Sequence, residues 1–311
     1  MIQATGLTKF YGERRALDAL SFRIAAGEIV GLVGKNGAGK STALRILSGQ
    51  LLPSEGEVTV DGISVTETPR EVRRRIGFLP EQPPLYPEMT VRGYLAFAAA
   101  LRQVPSPDVP RAVHTAMGET GLADMAHETL GSLSRGYQQR VGIAQAIVHT
   151  PKVLLLDEPM AGLDPLQITQ IRALIRSFRQ RHTVLFSSHI LSEITNVCDR
   201  VILIDQGRVR AEGSEQQLWE RFHQRERLLL RLRGEAGRAR TVVAGVDGIE
   251  LRSLGAEPDG TLALSLTAPA ERREALSRAC VEAGLGLLEL RAEQHGLEEL
   301  FVELLGEGRA A

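Results

Sequence analysis

Eight residues, GKNGAGKS at 34–41, carry the strongest chemical pattern in the chain. They fit G-x-x-x-x-G-K-[ST], with the apolar run GEIVGLVG (27–34) before them and the helical text KSTALRILSG (40–49) after. Gly34, Gly37 and Gly39 let the backbone turn tightly and present its N–H groups to anionic oxygens. A helix starting near Lys40 aims its positive end at the same charge. Lys40 can bridge the β- and γ-phosphates of a nucleoside triphosphate, Ser41 can hold Mg²⁺ through its hydroxyl, and Thr42 can reach the α-phosphate. The loop from Gly34 through Lys35, Asn36, Gly37, Ala38 and Gly39 to Thr42 is therefore the expected phosphate site.

A second group of residues supplies acid, base and metal chemistry. VLLLDEP (153–159) is a continuous apolar run ending in Asp157 and Glu158, as a central parallel strand would. At the carboxyl edge of such a sheet, where open α/β folds bind ligands, Asp157 can orient Mg²⁺ and its waters. Glu158 can polarise an attacking water as general base. An acidic pair that caps a neighbouring helix would look the same in isolation; the phosphate loop favours the catalytic reading. TVLFSSH (183–189) brings His189 to the same edge, where an imidazole can donate to a γ-phosphoryl oxygen.

The elements that must position these residues read as α/β over the first 220 or so residues. DPLQITQIRALIRSF (164–178) has Asp164 as N-cap, Pro165 in the first turn, and Ile171, Leu174, Ile175 and Phe178 on one face. VILIDQGRVRAEG (201–213) reads as a hairpin turning at Gln206-Gly207. Residues 88–150 turn helical and alanine-rich, a helical insertion. After the charged stretch near 222 a smaller α+β unit follows, with strands near 228–233, 250–254, 261–267 and 287–293. Its helices are expected near 270–283 and 297–305, in a ferredoxin-like arrangement. The expected division is thus 1–222 and 226–311.

Bulk properties narrow the function classes. The 311 residues suffice for two domains, and 43% apolar with 24% charged residues is ordinary for a folded soluble protein. A formal net charge of −1 provides no global field for nucleic acid or a membrane surface. Cys198 and Cys280 match no metal spacing and read as inert thiols of a reducing compartment. The N-terminus reads as lacking a signal peptide, and no run reaches the 18 apolar residues of a membrane span. His295 reads as a surface residue.

Taken together, the phosphate loop, the Asp-Glu strand end and the histidine, in this order over residues 2–222, resemble the nucleotide-binding subunit of ATP-binding-cassette (ABC) transporters. The resemblance implies a P-loop NTPase core of RecA-like type: a mostly parallel sheet, an antiparallel β subdomain and the helical insertion. It implies ATP and Mg²⁺ as ligands and ATP hydrolysis as the activity. Tyr11, in LTKFYGERRALDALSF, matches the aromatic position that stacks on adenine. AGLD (161–164) resembles the loop at the dimer seam, usually begun by serine, with Asp164 as its key residue. Two departures stand out. The family usually reads LPQ where this chain has LPE, so Glu81 takes the place of the metal-sensing glutamine, with Gln82 one position late. LSRGYQQR (133–140) stands where the common signature is L-S-G-G-Q-Q-Q-R. Ser134, which can both cap the following helix and offer its hydroxyl to a phosphate, and Gly136, which allows close backbone approach, are kept; Arg135 and Tyr137 differ.

The basic third signature position, the LPE loop and the appended C-terminal unit resemble the ATPase subunits of ABC-2-type exporters, the gliding-motility and drug-export group. The resemblance implies a head-to-tail dimer with a second copy or a paralogous ATPase. Each ATP would lie between one chain's 34–42 loop and the other's Ser134–Gly136. It also implies a separate membrane permease, a place on the cytoplasmic face of the membrane, and no nucleic-acid partner. The alternative is a soluble ABC-type ATPase acting on a non-membrane partner. Such proteins usually carry paired cassettes, coiled coils or cysteine clusters, none of which this sequence shows.

Overall fold

A computed structural model describes residues 1–194, 197–222 and 226–292. Two compact units divide after Glu215. The first begins with a hairpin, β1 (Ile2–Tyr11) and β2 (Arg14–Ile24), turned at Gly12-Glu13. Gly12 has φ 58°, as the first position of a two-residue hairpin turn requires. β3 (Ile29–Val33) runs into the phosphate loop and α1 (Lys40–Leu47). β4 (Glu55–Val60) and β5 (Ile63–Ser64) complete an antiparallel sheet of order β2-β1-β4-β5.

After α2 (Pro69–Arg75), β6 (Ile76–Leu79) enters the main sheet. The helical insertion holds α3 (Val91–Leu101), α4 (Val109–Thr120) and α5 (Arg135–Ile147). β7 (Val153–Leu156), α6 (Pro165–Ser177), β8 (Thr183–Ser188), β9 (Arg200–Asp205) and β10 (Arg208–Gly213) follow. The main sheet has order β10-β9-β3-β8-β7-β6 and is parallel except for the β9–β10 hairpin. β3 lies between β8 and β9, so the loop after it opens at the carboxyl edge of the sheet's centre. The core puts α1 between the two sheets. Ala43, Leu44, Ile46 and Leu47 share one buried cluster with Leu7, Leu20 and Phe22 of the hairpin and with Leu32, Leu155, Leu185 and Ile202 of the main sheet. α5 packs directly on β6: a Cβ on Gly77 would lie 2.0 Å from the Ala146 carbonyl oxygen, so only glycine fits there.

α7 (Glu215–Phe222) leads into the second unit, β11 (Glu226–Arg233), α8 (Ala236–Ala244), β12 (Glu250–Ala256), β13 (Leu262–Ala268), α9 (Arg273–Glu282) and β14 (Gly286–Ala292). Its antiparallel sheet has order β12-β13-β11-β14, the ferredoxin-like βαββαβ arrangement. Leu228, Leu230, Leu232, Leu264 and Leu266 bury against Ala239 and Val243 of α8 and Leu276 and Cys280 of α9. The sequence reading omitted α8, whose buried stripe is only Ala239 and Val243 amid arginine and threonine. The helix expected near 297–305 and His295 lie outside the described residues. Both cysteines are free, and burial pushes both thiols up. No helix among the described residues is long and apolar enough to cross a membrane.

His149, just beyond α5, places Nε2 3.2 Å from the Ile76 carbonyl oxygen, while its Nδ1 is buried without a partner. Burial, reinforced by the Arg102 guanidinium, pushes the imidazole down to about 4. An unfolded chain protonates histidine near pH ~6.5, so in this window folding expels a proton. The contribution to stability is complete above that pH, falls as the pH drops, and is gone near the folded value of about 4. The wild-type Tm should therefore fall more steeply than that of His149→Gln between those limits in thermal unfolding. Parallel curves would contradict the assignment.

Candidate functional site

The residues singled out by type converge at the carboxyl edge of β3, β7 and β8. A cavity of about 480 Å³ is lined by Asn36, Gly37, Gly39, Lys40, Ser41 and Thr42, together with Tyr11, Glu81, Glu158, Ala161 and His189. Arg14, Ala16 and Arg45 complete the lining. Glu81 faces this space; Gln82 is not among its lining residues. Larger clefts of about 670 and 570 Å³ flank the helical insertion and contain none of the phosphate loop.

Close packing dictates the loop's glycines. A Cβ on Gly34 would sit 2.3 Å from the Ile204 carbonyl oxygen. Gly39, at φ 110°, would put one 2.7 Å from the carbonyl oxygen of Ala16. The Gly207 amide donates to the Ala38 carbonyl at 2.9 Å, and the Asp18 amide donates to the Gly207 carbonyl at 3.0 Å. The β9–β10 turn thus ties the loop to the hairpin sheet. Arg208 reinforces the tie from 2.7 Å, and its hydrogen bond to Asp18 holds that carboxyl below the usual carboxylate range.

Beneath the loop the charged groups are paired with one another. Lys40 is buried; its Nζ donates to the Gly34 carbonyl at 2.7 Å and lies 3.3 Å from Glu158 Oε1. The other carboxylate oxygen, Oε2, is 2.9 Å from His189 Nδ1. Ser41 Oγ donates to Asp157 Oδ1 at 3.1 Å. Ser187 Oγ donates to the same oxygen at 2.7 Å and accepts the Glu158 amide at 2.8 Å. The Asp157 amide donates to the Leu79 carbonyl at 2.8 Å, joining the ends of β7 and β6. Glu158 itself has φ 48°, a left-handed conformation uncommon for a glutamate and enriched at functional sites.

Ser187 escaped the sequence reading. Its signal was available: pairing of Leu156 with Phe186 in parallel strands sets Ser187 beside Asp157, and a hydroxyl inside a buried strand end needs a polar partner.

The remaining predicted residues lie elsewhere. Ser134 and Gly136 do not line this chain's cavity. Ser134 occupies the N-cap position of α5 but makes no side-chain capping bond, contrary to the expectation from its type. Gly136 is buried, and a Cβ on it would lie 2.6 Å from Cδ of Gln167. Arg135 rests its guanidinium on Gly162, with Cζ 2.6 Å from where a Cβ would stand. Asp164 caps α6, accepting the Gln167 amide at 2.9 Å.

Comparison with known proteins gives this geometry a family. The sequence profile described as ABC transporter matches residues 17–161. The bacitracin transport ATP-binding protein of Bacillus licheniformis is 32% identical over 99% of this chain and 98% of its own length. The chain belongs to the ABC transporter ATP-binding family. The daunorubicin resistance ATP-binding protein of Streptomyces coeruleorubidus is 34% identical, covering 99% of this chain and 96% of that one. Among solved structures, a dimeric post-hydrolysis ATP-binding cassette bound to ADP and Pi superposes with TM-score 0.63 at 28% identity, over 69% of this chain and 98% of that one. This chain is accordingly an ABC ATPase that binds and hydrolyses ATP.

Removing the Ser187 hydroxyl would leave the buried Glu158 amide without its acceptor and Asp157 Oδ1 with Ser41 as its remaining side-chain donor. Ser187→Ala should cost about 1–3 kcal/mol of stability in urea unfolding and should lower kcat for ATP. A variant as stable and as active as wild type would show that this hydroxyl does not organise the acidic pair.

Proposed function

We propose that this ATPase powers a separate membrane permease on the cytoplasmic face of the membrane, in the export direction, and works as a head-to-tail pair. Residues 1–222 form the ATPase domain, with the helical subdomain at about 88–150, and 226–311 an accessory domain. The observation that carries the catalytic assignment is the Glu158 carboxylate held between Lys40 and His189 at the mouth of the phosphate loop. Full-length similarity to bacitracin transport and daunorubicin resistance ATP-binding proteins supports export by an ABC-2-type assembly.

In the proposed cycle the phosphates of ATP take the loop amides and draw Lys40 away from Glu158. Glu158 Oε1 is then free to accept a proton from the attacking water. His189 remains on Oε2 through Nδ1; as an imidazolium it carries a second N–H, on Nε2, for the γ-phosphoryl oxygen. Tyr11, half exposed beside the loop, offers its ring to adenine. Ser41 and Asp157 converge as two hard oxygen donors, the set that suits Mg²⁺, with Glu81 at the cavity wall. The ion would supply charge neutralisation at the β- and γ-oxygens.

Ser134 and Gly136 do not line their own chain's cavity, which fits a role at the nucleotide of a second copy, with Asp164 at the seam. The permease would dock on the helical insertion, in the cleft of about 570 Å³ where Tyr86, Tyr94 and Phe97 cluster beside Arg70, Arg73 and Arg74.

Glu158→Gln should bind ATP and dimerise while kcat falls about 100-fold or more. Ser134→Arg should abolish ATP-driven dimerisation, read by light scattering, with single-chain ATP affinity kept. Near-wild-type turnover by Glu158→Gln would remove the base assignment. Dimerisation of Ser134→Arg would remove the head-to-tail arrangement.

A further inference from the structure

The phosphate loop has a cation above it that the G-x-x-x-x-G-K-[ST] pattern does not include. Tyr11 and Arg14 pair directly across the hairpin turn at Gly12-Glu13. Residues directly opposite in an antiparallel pair project from the same face of the sheet. The face that presents the Tyr11 ring to the cavity therefore presents Arg14 as well, and both line it. Arg14 Nη2 reaches 3.5 Å from the position a Cβ on Gly37 would take, so the guanidinium lies in contact distance of the loop.

Its donors are uncommitted. The neighbouring Arg15 bonds Asp18, and Lys40 is spent on Glu158 and on the carbonyls of Gly34 and Lys35. The Arg14 guanidinium has no hydrogen bond or ion pair among the described residues. Arg45 also lines the cavity unpaired, but it stands at the far end of α1, in the last turn. The acids on the lining, Glu81 and Glu158, add negative charge where a polyanion must enter. A planar guanidinium with free donors is the side chain best matched to phosphate oxygens.

We propose that Arg14 is a further nucleotide-binding residue, gripping the polyphosphate from outside the loop. This rests on the reading of residues 34–42 as the ATP cradle. Arg14 would bind ATP, ADP and inorganic pyrophosphate through the same contact and would offset the carboxylate at Glu81.

Equilibrium binding to the full chain tests this, with ADP and pyrophosphate in the presence of magnesium and ATP with the metal chelated. Arg14→Ala should raise all three Kd values about tenfold, the loss of one charge-assisted contact, and Arg14→Lys should recover part of it. In steady-state hydrolysis Arg14→Ala should raise KM with little change in kcat. Pyrophosphate affinity within about twofold of wild type overturns the proposal, and a loss confined to ATP and ADP would assign Arg14 to the base or ribose instead. Lys40→Ala separates the two levels. If it keeps wild-type affinity, the cradle reading fails; if it loses affinity while Arg14→Ala does not, only the present inference fails.

Discussion

The site depends on a buried carboxylate that must be shared. Glu158 is 8% exposed, and a charge removed from water to that degree persists only with partners. It has two, Lys40 on one oxygen and His189 on the other. Those partners come from the helix after β3 and from the end of β8, while Glu158 follows β7. One ion-paired group therefore requires three strands to end at the same level, which the parallel order β3-β8-β7 provides. Ser187 and the Leu79 carbonyl hold the backbone of the Asp-Glu step so that neither side chain can retreat.

The same pairing fastens the phosphate loop from beneath. Lys40 folds back onto its own loop's carbonyls and onto Glu158, closing a ring of charge that a polyanion can open by substitution. Around it, the glycines at 34 and 39 let the loop press against β9 and β2 without a gap, and the Gly207 turn fastens it from a third side.

Much of this was legible in the sequence because local and tertiary demands agreed. GKNGAGKS had to be a strand–loop–helix, VLLLDEP and TVLFSSH had to be buried strands, and Asp164 with Pro165 had to start a helix. What was not legible was set by pairing partners distant in sequence. YGER carries no two-residue turn signature of the Asn-Gly or Asp-Gly kind, yet it makes a hairpin turn because β1 and β2 share a sheet. α8 hides because two small buried residues suffice to seat it on β12 and β13's sheet. Ser134 has the type of a capping residue and the backbone angles of one, but not the bond. Gly136 and Arg135 pack on Gln167 and Gly162, contacts that no local pattern encodes.

The left-handed backbone at Glu158 carries a consequence for anyone who edits this protein. Glycine or asparagine would adopt φ 48° more cheaply, but removing the carboxylate would leave the buried Lys40 ammonium without its ion-pair partner. Any search for thermostable variants guided by backbone fitness will rank this position among the best to replace. The molecule it yields would trade a relieved backbone for an unpaired cation at the centre of the site.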